Sequence, residues 1–315
     1  MFVTVVIPIY NGESDLPDLL ACLRSQTYPP RQVEYLLVDN NSQDQTIAGI
    51  TQAIVEFEKA GLTLKLRSEP QIQSSYAARN VGIKASSGEI IAFTDADCRP
   101  QPQWLEKLIT PFENTEIDLV FGEIEGLPSR NWLERYAEKN KVLSQHYTLE
   151  NSFCPYGQTA NLAARRSLFE RIGLFRPYLT TGGDADFCWR ALKESHDQSE
   201  KKWYFEPQAI VFHRHRSTLM ELAKQWQRYG RSNRYLHELH GVELMTQSKR
   251  SYLIYLWARW LLREIPRYLL EIIRGKDAGI MLISTPINIY CNTQRLKGQS
   301  QAKLPDLARQ IEYFP

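Results

Sequence analysis

Apolar and polar positions follow two alternating periods along the first hundred residues. Some segments are short apolar or β-branched runs, and others between them repeat their apolar residues with helical spacing. The predicted strands are 4–10, 33–40, 62–68 and 88–94, and the predicted helices are 13–26, 44–59 and 74–85. Strands that alternate with helices of this length are typical of crossover units, so we predict an α/β fold with a mostly parallel sheet.

The pattern becomes less regular after residue 100. We predict helices at 103–112, 131–146, 166–172 and 185–194, strands at 118–125 and 203–213, and a loop or irregular strand at 151–161. Gly173 is expected to end the third of these helices. Residues 180–185 indicate a glycine-rich turn, and 294–303 a polar, mobile tail.

Polar side chains stand repeatedly where the predicted strands end. Asn11 follows the first strand, Asp39 ends the second, and Asp95 and Asp97 follow the strand in GEIIAFTDADCRP. Ligands of open α/β sheets bind at the carboxyl ends of the strands. We therefore predict a ligand site at this edge of the sheet.

The two acids of the D-x-D sequence are candidate metal ligands. Asp95 and Asp97 suit a hard divalent cation such as Mg²⁺ or Mn²⁺, which takes further ligands from substrate phosphates and water. A metal-bound diphosphate is therefore the expected ligand. The alternative is that both acids cap a helix after Pro100 and Pro102.

Composition narrows the class of protein. A formal net charge of +2 over 315 residues gives no argument for nucleic-acid binding. The five cysteines are widely spaced and form no C-x-x-C pair, which favours free thiols in a reducing compartment. Without a signal peptide or a membrane-length apolar run, the chain is expected in the cytoplasm, either free or at the inner face of the cell membrane.

Three ordered segments resemble the family 2 inverting glycosyltransferases. They are TVVIPIYNGE, LLVDNNSQD and AARNVGIKASSGEIIAFTDADC, and the similarity extends through GQTANLAARRSLFERIGLF and GGDADFCWR. The resemblance implies the Rossmann-like GT-A fold, a nucleotide-sugar donor and a divalent metal. Asn40 and Gly183 depart from the family's pattern, since acids are usual at both positions.

The resemblance also assigns donor and metal residues. The nucleotide-sugar would be bound by Pro8, Tyr10, Asn11, Asp39, Arg79, Asn80 and Asp95, and the metal by Asp97, Asp95 and His213. For Asp39 an Asx-turn with the following asparagines is an alternative that could coexist with donor binding. For Arg79 and Asn80 the alternative is a pair on a helix surface, and for His213 a hydrogen-bonded surface pair with His215.

An inverting transfer needs a base for the acceptor hydroxyl, and Asp184 matches the family's catalytic position. Its alternative role is that of a helix N-cap. Asp186 is the second candidate, although its spacing to Arg190 favours an ion pair on one helix. The acceptor side is implied to include Gly157, Asn161, Gly183 and Arg190.

The chain becomes basic after the predicted catalytic domain. From 214 to 276 it has 13 Lys and Arg against 5 Glu and no Asp. The segment from Tyr252 to Ile273 is predicted to form a basic amphipathic helix. This helix could lie on an anionic membrane or pack against the catalytic domain. Pro266 is expected to kink or end it. QWQRY resembles a processive-synthase signature only weakly, and helix packing explains it better.

We therefore predict a GT-A domain at 1–216, divided into a donor half (1–100) and an acceptor half (101–216), a helical extension at 217–290 and a polar tail at 291–315. The expected activity is transfer of one sugar to a glycan or lipid-linked saccharide in surface polysaccharide assembly. Two alternatives are a sugar-phosphate nucleotidyltransferase, although its glycine-rich loop is missing after the first strand, and a degenerate transferase that acts as a scaffold. No G-x-G-x-x-G follows that strand, which argues against a dinucleotide dehydrogenase.

Overall fold

The computed structural model describes residues 1–194 and 202–314. The chain divides into two compact units. The first comprises Met1–Leu127, Leu143–Arg214 and Pro305–Pro315, and the second comprises Pro128–Val142 and His215–Leu304. The three-part division given above stays a prediction.

The first unit is built on a sheet of eight strands within the described residues. The strands are β1 (Val3–Ile9), β2 (Val33–Asp39), β3 (Thr63–Ser68), β4 (Ile90–Thr94), β5 (Cys98–Pro100), β6 (Leu119–Gly126), β7 (Asn161–Arg165) and β8 (Trp203–His213). Their order is β3-β2-β1-β4-β7-β6-β8-β5. In this order, β3, β2, β1 and β4 are parallel to one another. Strand β7 is antiparallel to both β4 and β6, and β6 is parallel to β8. The predicted α/β class with a mostly parallel sheet is confirmed.

The helices of the described residues agree closely with the predicted pattern. They are α1 (Leu16–Arg24), α2 (Thr46–Lys59), α3 (Ser75–Ala85), α4 (Trp104–Ile109), α5 (Trp132–Lys139), α6 (Gln145–Leu149), α7 (Arg166–Ile172), α8 (Gly183–Glu194), α9 (Leu219–His240), α10 (Arg250–Arg259), α11 (Ile265–Ile273) and α12 (Gly279–Gln301). Gly173 ends α7 with φ at +79°, as expected for a residue that must leave the helix in a left-handed conformation.

The sheet is buried because its central strands are apolar on both faces. Every residue of β1, β2 and β4 is buried, which is the pattern of parallel strands covered by helices. Leucines of α1 and Phe57 of α2 pack on the same core as these strands. Because β1, β2 and β4 are buried along their whole length, the polar residues that follow them lie at the edge of the sheet formed by the carboxyl ends of these strands.

The second unit is helical, as predicted for the extension. A capping box between Thr218 and Glu221 starts α9, and Gly241 ends it with φ at +78°. Gly230 and Gly298 allow close contact between α9 and α12, since a Cβ on Gly298 would lie 2.0 Å from the Gln227 carbonyl oxygen.

Three local predictions are corrected. The helix expected at 131–146 is interrupted, because α5 ends at Lys139 and Lys141 takes a positive φ of 48° before α6 begins. The polar tail expected at 294–303 is helical up to Gln301, where it forms the end of α12. Of the two outcomes expected at Pro266, a kink or a helix end, the second is wrong: a π-helical stretch at Trp260–Glu264 precedes the proline, which lies in the first turn of α11.

Across residues 1–194 and 202–314, no helix combines the length and the apolar composition needed to cross a membrane.

Candidate active site

The strand ends bring the predicted polar residues to one edge of the sheet. β1 pairs in parallel with β2 in a register that places Ile9 beside Asp39. β4 pairs with β1 on its other side, with Phe93 beside Val6, so Asp95 emerges next to the end of β1. The ligand edge predicted from the sequence is therefore an assembled surface of the first unit.

The turns after β1 and β2 are tied together by side chains. Asn11 takes a positive φ of 48°, its backbone N–H donates to Ser42 Oγ at 2.9 Å, and its Oδ1 accepts from the Gln43 N–H at 2.8 Å. Asp39 accepts from the backbone N–H groups of Asn41 and Ser42, which forms the anticipated Asx-turn. Close by in the chain, Pro8 is buried in β1, whereas the ring of Tyr10 is exposed.

Arg79 places a buried cation beside the first acid of the D-x-D sequence. Its Nη2 donates to Asp95 Oδ1 at 2.5 Å and its Nη1 to Ser75 Oγ at 3.1 Å. Burial lowers the pKa of Arg79, but the carboxylates of Asp95 and Asp184 outweigh it, so the pKa is raised overall and the group stays charged. Arg79 Nε is buried without a hydrogen-bond partner in the described part of the chain. A buried donor of this kind is available to a ligand oxygen.

The second acid pairs with the predicted histidine. Antiparallel pairing of β5 and β8 sets Cys98 beside His213, and His213 Nε2 then lies 3.0 Å from Asp97 Oδ2. His213 Nδ1 lies 2.7 Å from the Arg214 carbonyl oxygen. Because a carbonyl oxygen only accepts, Nδ1 carries a proton and directs Nε2 towards Asp97.

This donor set fits a divalent cation that also contacts a substrate. A carboxylate oxygen and an imidazole nitrogen converge at Asp97 and His213, and Asp95 lies two residues away. No group of three or more His, Cys, Asp and Glu side chains with metal-binding geometry occurs within residues 1–194 and 202–314. Mg²⁺ sites of this type need only one or two protein ligands, since phosphate oxygens and water complete the coordination. The D-x-D acids do not cap a helix, because β5 follows them and α4 begins only at Trp104.

Asp184 lies in the first turn of α8, on the side of Arg79. Its Oδ1 accepts from Thr159 Oγ1 at 2.9 Å. Burial raises the pKa of Asp184, and the charge of Arg79 together with the bond from Thr159 only partly opposes this. The carboxyl is therefore a stronger base than an exposed aspartate.

Asp186, two residues later, has the opposite environment. It is fully buried, and both of its oxygens are engaged: Oδ1 by Arg176 Nε at 2.9 Å and Oδ2 by Arg190 Nε at 3.0 Å. The predicted i,i+4 ion pair with Arg190 is confirmed. Removing one partner of a buried ion pair typically costs about 3–5 kcal/mol, so Asp186 is a structural residue of α8.

Two family models match the chain, and each covers more than half of its 315 residues. The model described as glycosyl transferase family 2 matches residues 4–174, and the model described as glycosyl transferase family group 2 matches residues 90–290. The chain belongs to glycosyl transferase family 2. The resemblance identified from the motifs is confirmed.

Curated relatives of this family 2 chain are known from archaea and bacteria. Glycosyltransferase AglE of Haloferax volcanii is 38% identical over 193 residues, which are 60% of this chain and 61% of AglE. The pre-mycofactocin glycosyltransferase of Mycobacterium tuberculosis is 28% identical over 235 residues, 73% of this chain and 46% of that protein. The chain thus spans about half to three fifths of the lengths of these relatives.

Solved structures share the fold. The mannosyltransferase PcManGT of Pyrobaculum calidifontis, solved with GDP-Man and Mn²⁺, has a TM-score of 0.59 at 16% identity and covers 93% of this chain and 86% of its own. TarS 1–349 of S. aureus, solved with UDP-GlcNAc, has a TM-score of 0.53 at 17% identity, and the match covers 95% of this chain and 89% of the TarS chain. These similarities confirm the GT-A, Rossmann-like fold of the family 2 chain.

Asn80, predicted to contact the donor, has a structural role instead. Its Nδ2 donates to the Phe175 carbonyl oxygen at 2.8 Å and to Glu312 Oε2 at 3.0 Å, and its Oδ1 accepts from the Phe175 N–H at 3.0 Å. Both polar atoms of the side chain are thus used inside the protein. The two polar residues of the A-R-N motif in this family 2 chain therefore differ in role. Arg79 contacts Asp95 in the candidate site, and Asn80 links α3 to Phe175 and Glu312.

The residues predicted for the acceptor side are mostly structural as well. Asn161 is fully buried, donates to the carbonyl oxygens of Glu123 and Ala209 at 2.7 Å each, and accepts from Trp104 Nε1 at 2.8 Å. Arg190 adds bonds to the Ile172 and Leu174 carbonyl oxygens to its pair with Asp186. Asn161 thus joins β6, β8 and α4, Arg190 anchors α8, and every side-chain nitrogen of both residues donates within the protein.

The two glycines of the acceptor prediction are sites of close packing. A Cβ on Gly157 would lie 2.0 Å from the Phe121 ring, and a Cβ on Gly183 would lie 2.7 Å from the Tyr76 ring. At Gly183, where an acid is usual in the family, the Tyr76 ring of α3 occupies the space that a side chain would need.

Sequence reasoning missed Thr159 and Tyr76. Tyr76 lies three residues before Arg79 on α3, and the guanidinium carbon of Arg79 lies 5.4 Å from its ring centre. That helical spacing was a usable signal. Thr159 had none, because its bond to Asp184 joins the turn before β7 to the first turn of α8, 25 residues away.

Proposed function

We propose that the protein is an inverting glycosyltransferase that moves one sugar from a nucleotide-diphosphate sugar to a glycan or lipid-linked saccharide in surface polysaccharide biosynthesis. The observation that carries the proposal is the position of Arg79. This buried cation lies against Asp95 of the D-x-D sequence and acts electrostatically on Asp184. This arrangement would let the diphosphate of a donor bind beside a basic carboxyl at one edge of the sheet.

The donor is proposed to lie across the ends of β1, β2 and β4. The nucleotide would contact Tyr10, Asn11 and Asp39, with Pro8 lining the same pocket. The buried Arg79 Nε would donate to a diphosphate or sugar oxygen of the donor. Asp95 holds the guanidinium in place for that contact. Solved relatives of similar fold were obtained with GDP-Man or with UDP-GlcNAc, so the base stays open between these classes.

Mg²⁺ or Mn²⁺ is proposed as the cofactor, held by Asp97 and His213 with Asp95 beside them. PcManGT and a glucosyl-3-phosphoglycerate synthase of similar fold were solved with Mn²⁺. When bound, the cation would offset the negative charge of the nucleoside diphosphate as it leaves. The protein's own part is to aim a carboxylate oxygen and His213 Nε2 at one point, which the hydrogen bond from Nδ1 achieves.

Asp184 is proposed as the general base. The acceptor hydroxyl oxygen attacks the anomeric carbon, the bond from that carbon to the diphosphate oxygen breaks, and Asp184 takes the hydroxyl proton. Its raised pKa makes it a better proton acceptor than an ordinary aspartate, and the Thr159 hydroxyl fixes the orientation of the carboxylate. Asp186 is unsuited to this task because two arginines occupy its oxygens.

A membrane surface is proposed as the place of action. Ten of the 22 exposed large apolar side chains of the described residues lie between 252 and 273, and they are Tyr252, Ile254, Tyr255, Trp257, Leu261, Leu262, Leu269, Leu270, Ile272 and Ile273. The segment from Arg250 to Arg274 also has five Arg against two Glu. An exposed apolar face with excess positive charge suits the headgroup region of an anionic bilayer. That location would fit a lipid-linked acceptor.

Donor turnover tests the enzymatic proposal. Purified protein is incubated with UDP-, GDP-, dTDP- and CDP-sugars, with Mn²⁺, Mg²⁺ or EDTA, and release of nucleoside diphosphate is measured with and without glycan acceptors. We expect one donor class to turn over only with metal. Asp184→Asn should lower transfer about 10²–10⁴-fold and leave donor binding unchanged, because general-base catalysis contributes by that factor.

Glu113→Gln is the matched control, since it neutralises an exposed acid of the same unit. Retained transfer in Asp184→Asn would exclude Asp184 as the base. Formation of a nucleotide-sugar from a nucleoside triphosphate and a sugar phosphate would identify a nucleotidyltransferase instead. Absence of both donor binding and turnover would favour the scaffold. The anomeric configuration of the product, read by NMR, decides between inversion and retention.

A further inference from the structure

Residues 305–314, which we call the strap, belong to the first unit and pack against the turn after α7. Ala308 is fully buried, and the backbone N–H of Leu174 donates to the Glu312 carbonyl oxygen at 2.7 Å. A Cβ on Gly173 would lie 2.5 Å from the Ile311 side chain, so the turn after α7 is shaped to receive the strap. The strap is thus a fitted part of this unit.

Glu312 joins the strap to the helix that carries Arg79. Its Oε2 accepts from Asn80 Nδ2 at 3.0 Å, and its Oε1 forms an ion pair with Lys84 Nζ. Asn80 and Lys84 are four residues apart on α3 and therefore share one face. Arg79, the next residue to Asn80, projects from a different face towards Asp95. One end of the strap therefore holds α3 by a face other than the one that carries Arg79.

The other contact of the strap leads to the helix that carries Asp184. Arg176 Nη1 donates to the Arg309 carbonyl oxygen, and Arg176 Nε donates to Asp186 Oδ1 at 2.9 Å. Asp186 follows Asp184 by two residues on α8. A continuous chain of polar contacts thus connects α3, the strap and α8.

We propose that Glu312 is a positioning residue for the transfer reaction, which sets the distance between Arg79 on α3 and Asp184 on α8. This rests on the proposed function of those two residues. Asn80 is central to it, because the same amide bonds both Glu312 and the backbone of Phe175. Displacement of a reacting group by about 1 Å can cost about 10²-fold in rate, so a small shift of α3 against α8 is sufficient to matter.

Three full-length variants test this role. Glu312→Ala removes both contacts, Glu312→Gln keeps an oxygen for Asn80 but loses the charge for Lys84, and Asp306→Ala removes an exposed carboxylate of the strap as a matched control. Steady-state kinetics give kcat and the donor KM, and hydrogen exchange followed by mass spectrometry reports on α3 and on residues 173–186. The exchange measurement requires no substrate and is therefore independent of the proposed activity.

For Glu312→Ala we expect kcat/KM for the donor to fall about 10–100-fold, with faster exchange in α3 and at 173–186. Glu312→Gln should recover most of the rate, and Asp306→Ala should match the wild type in both measurements. If Glu312→Ala does not fold, Lys84→Gln provides the second variant, which breaks the ion pair and should show a smaller change of the same kind.

Two results for Glu312→Ala would overturn the proposal. One is faster hydrogen exchange that is confined to residues 305–314. The other is faster hydrogen exchange at α3 while kcat/KM stays within about twofold of the wild type, a change of only about 0.4 kcal/mol. A wild-type protein that transfers no sugar would refute the proposed function separately. In that case the role of Glu312 as a link between α3 and α8 is still decided by hydrogen exchange.

Discussion

Asp184 and Asp186 lie two residues apart on α8, and their surroundings separate their roles. Asp186 is paired with Arg176 and Arg190, whereas Asp184 has one hydroxyl partner and a desolvated position near Arg79. An environment that raises the pKa of one carboxyl while the neighbouring carboxyl is held in ion pairs is a recurrent feature of acid–base sites. At the residue scale, the role of each aspartate therefore depends on which side chains bind its carboxylate oxygens.

The raised pKa of Asp184 predicts the acid limb of the activity profile. The carboxyl must be ionised to accept a proton, and its pKa lies above the ordinary value of 3.8. We expect kcat/KM to fall with decreasing pH through an apparent pKa above that value. Measurement of kcat/KM between pH 4 and 8 checks this.

The same shift has a consequence for stability. Since the folded state binds the Asp184 proton more tightly than the unfolded state, this carboxyl favours folding at low pH, and the contribution is lost as pH rises through the folded pKa. Asp184→Asn should therefore gain stability relative to the wild type as pH rises from 3.8 through that value. Urea unfolding at several pH values measures the difference. An equal difference at every pH would contradict the raised pKa.

At the scale of elements, the α10–α11 segment is the least covered helix region of the second unit. No residue of α10, of the π-helical stretch or of α11 is fully buried. Trp260 anchors the segment by donating from Nε1 to the Leu282 carbonyl oxygen at 2.7 Å, while Glu264 and Glu271 pair with arginines of their own segment. Apolar side chains such as Leu262 and Ile273, 75% and 80% exposed, are left for an external partner.

We expect the protein to sediment with vesicles that contain anionic lipid and to bind neutral vesicles weakly, with binding that declines as salt rises. The double variant Leu262→Glu/Ile273→Glu should lose at least about tenfold in vesicle affinity, because each buried apolar side chain contributes about 1.5–3 kcal/mol. Ile47→Glu, on the exposed face of α2, is the control. Equal binding of both variants, or concentration-dependent dimers that disappear in the double variant, would argue against a lipid surface.

At the scale of the whole molecule, ligand binding and folding are linked. A nucleoside diphosphate and a cation would contact residues at or just after the ends of β1, β2, β4 and β8, which are distant in the chain and come together only when it is folded. A ligand that binds only the folded state raises stability by about 2.7 kcal/mol at a hundredfold excess over its Kd. Melting curves therefore report on the site without any knowledge of the acceptor.

We expect UDP or GDP with Mn²⁺ to raise the melting temperature of the wild type, and the same nucleotide with EDTA to raise it much less. Asp97→Ala should lose the metal-dependent part of the shift. The control is again Glu113→Gln, which should behave as the wild type. A nucleotide shift that is equal with Mn²⁺ and with EDTA would remove the metal from the proposed site.

The sequence by itself determined the fold class, the strands of the ligand edge and the family. Strand and helix periods are local properties, so β1, β2 and β4, and the residues that follow them, could be read directly. The positions of Asp95, Asp97 and Arg79 near this edge were predictable because each lies within a short ordered motif. The ion pair of Asp186 and Arg190 was predictable from the spacing of one helix turn.

Only the tertiary structure decided which motif residues face the candidate site and which hold the fold. Asn80 is engaged by Phe175 and Glu312, 95 and 232 residues away, and Asn161 by Trp104 and Ala209. Such bonds depend on strand register and on how loops pack, and no local period encodes them. For the same reason the sequence of the strap predicts only a polar tail, since its fit to the turn after α7 exists only when both have folded.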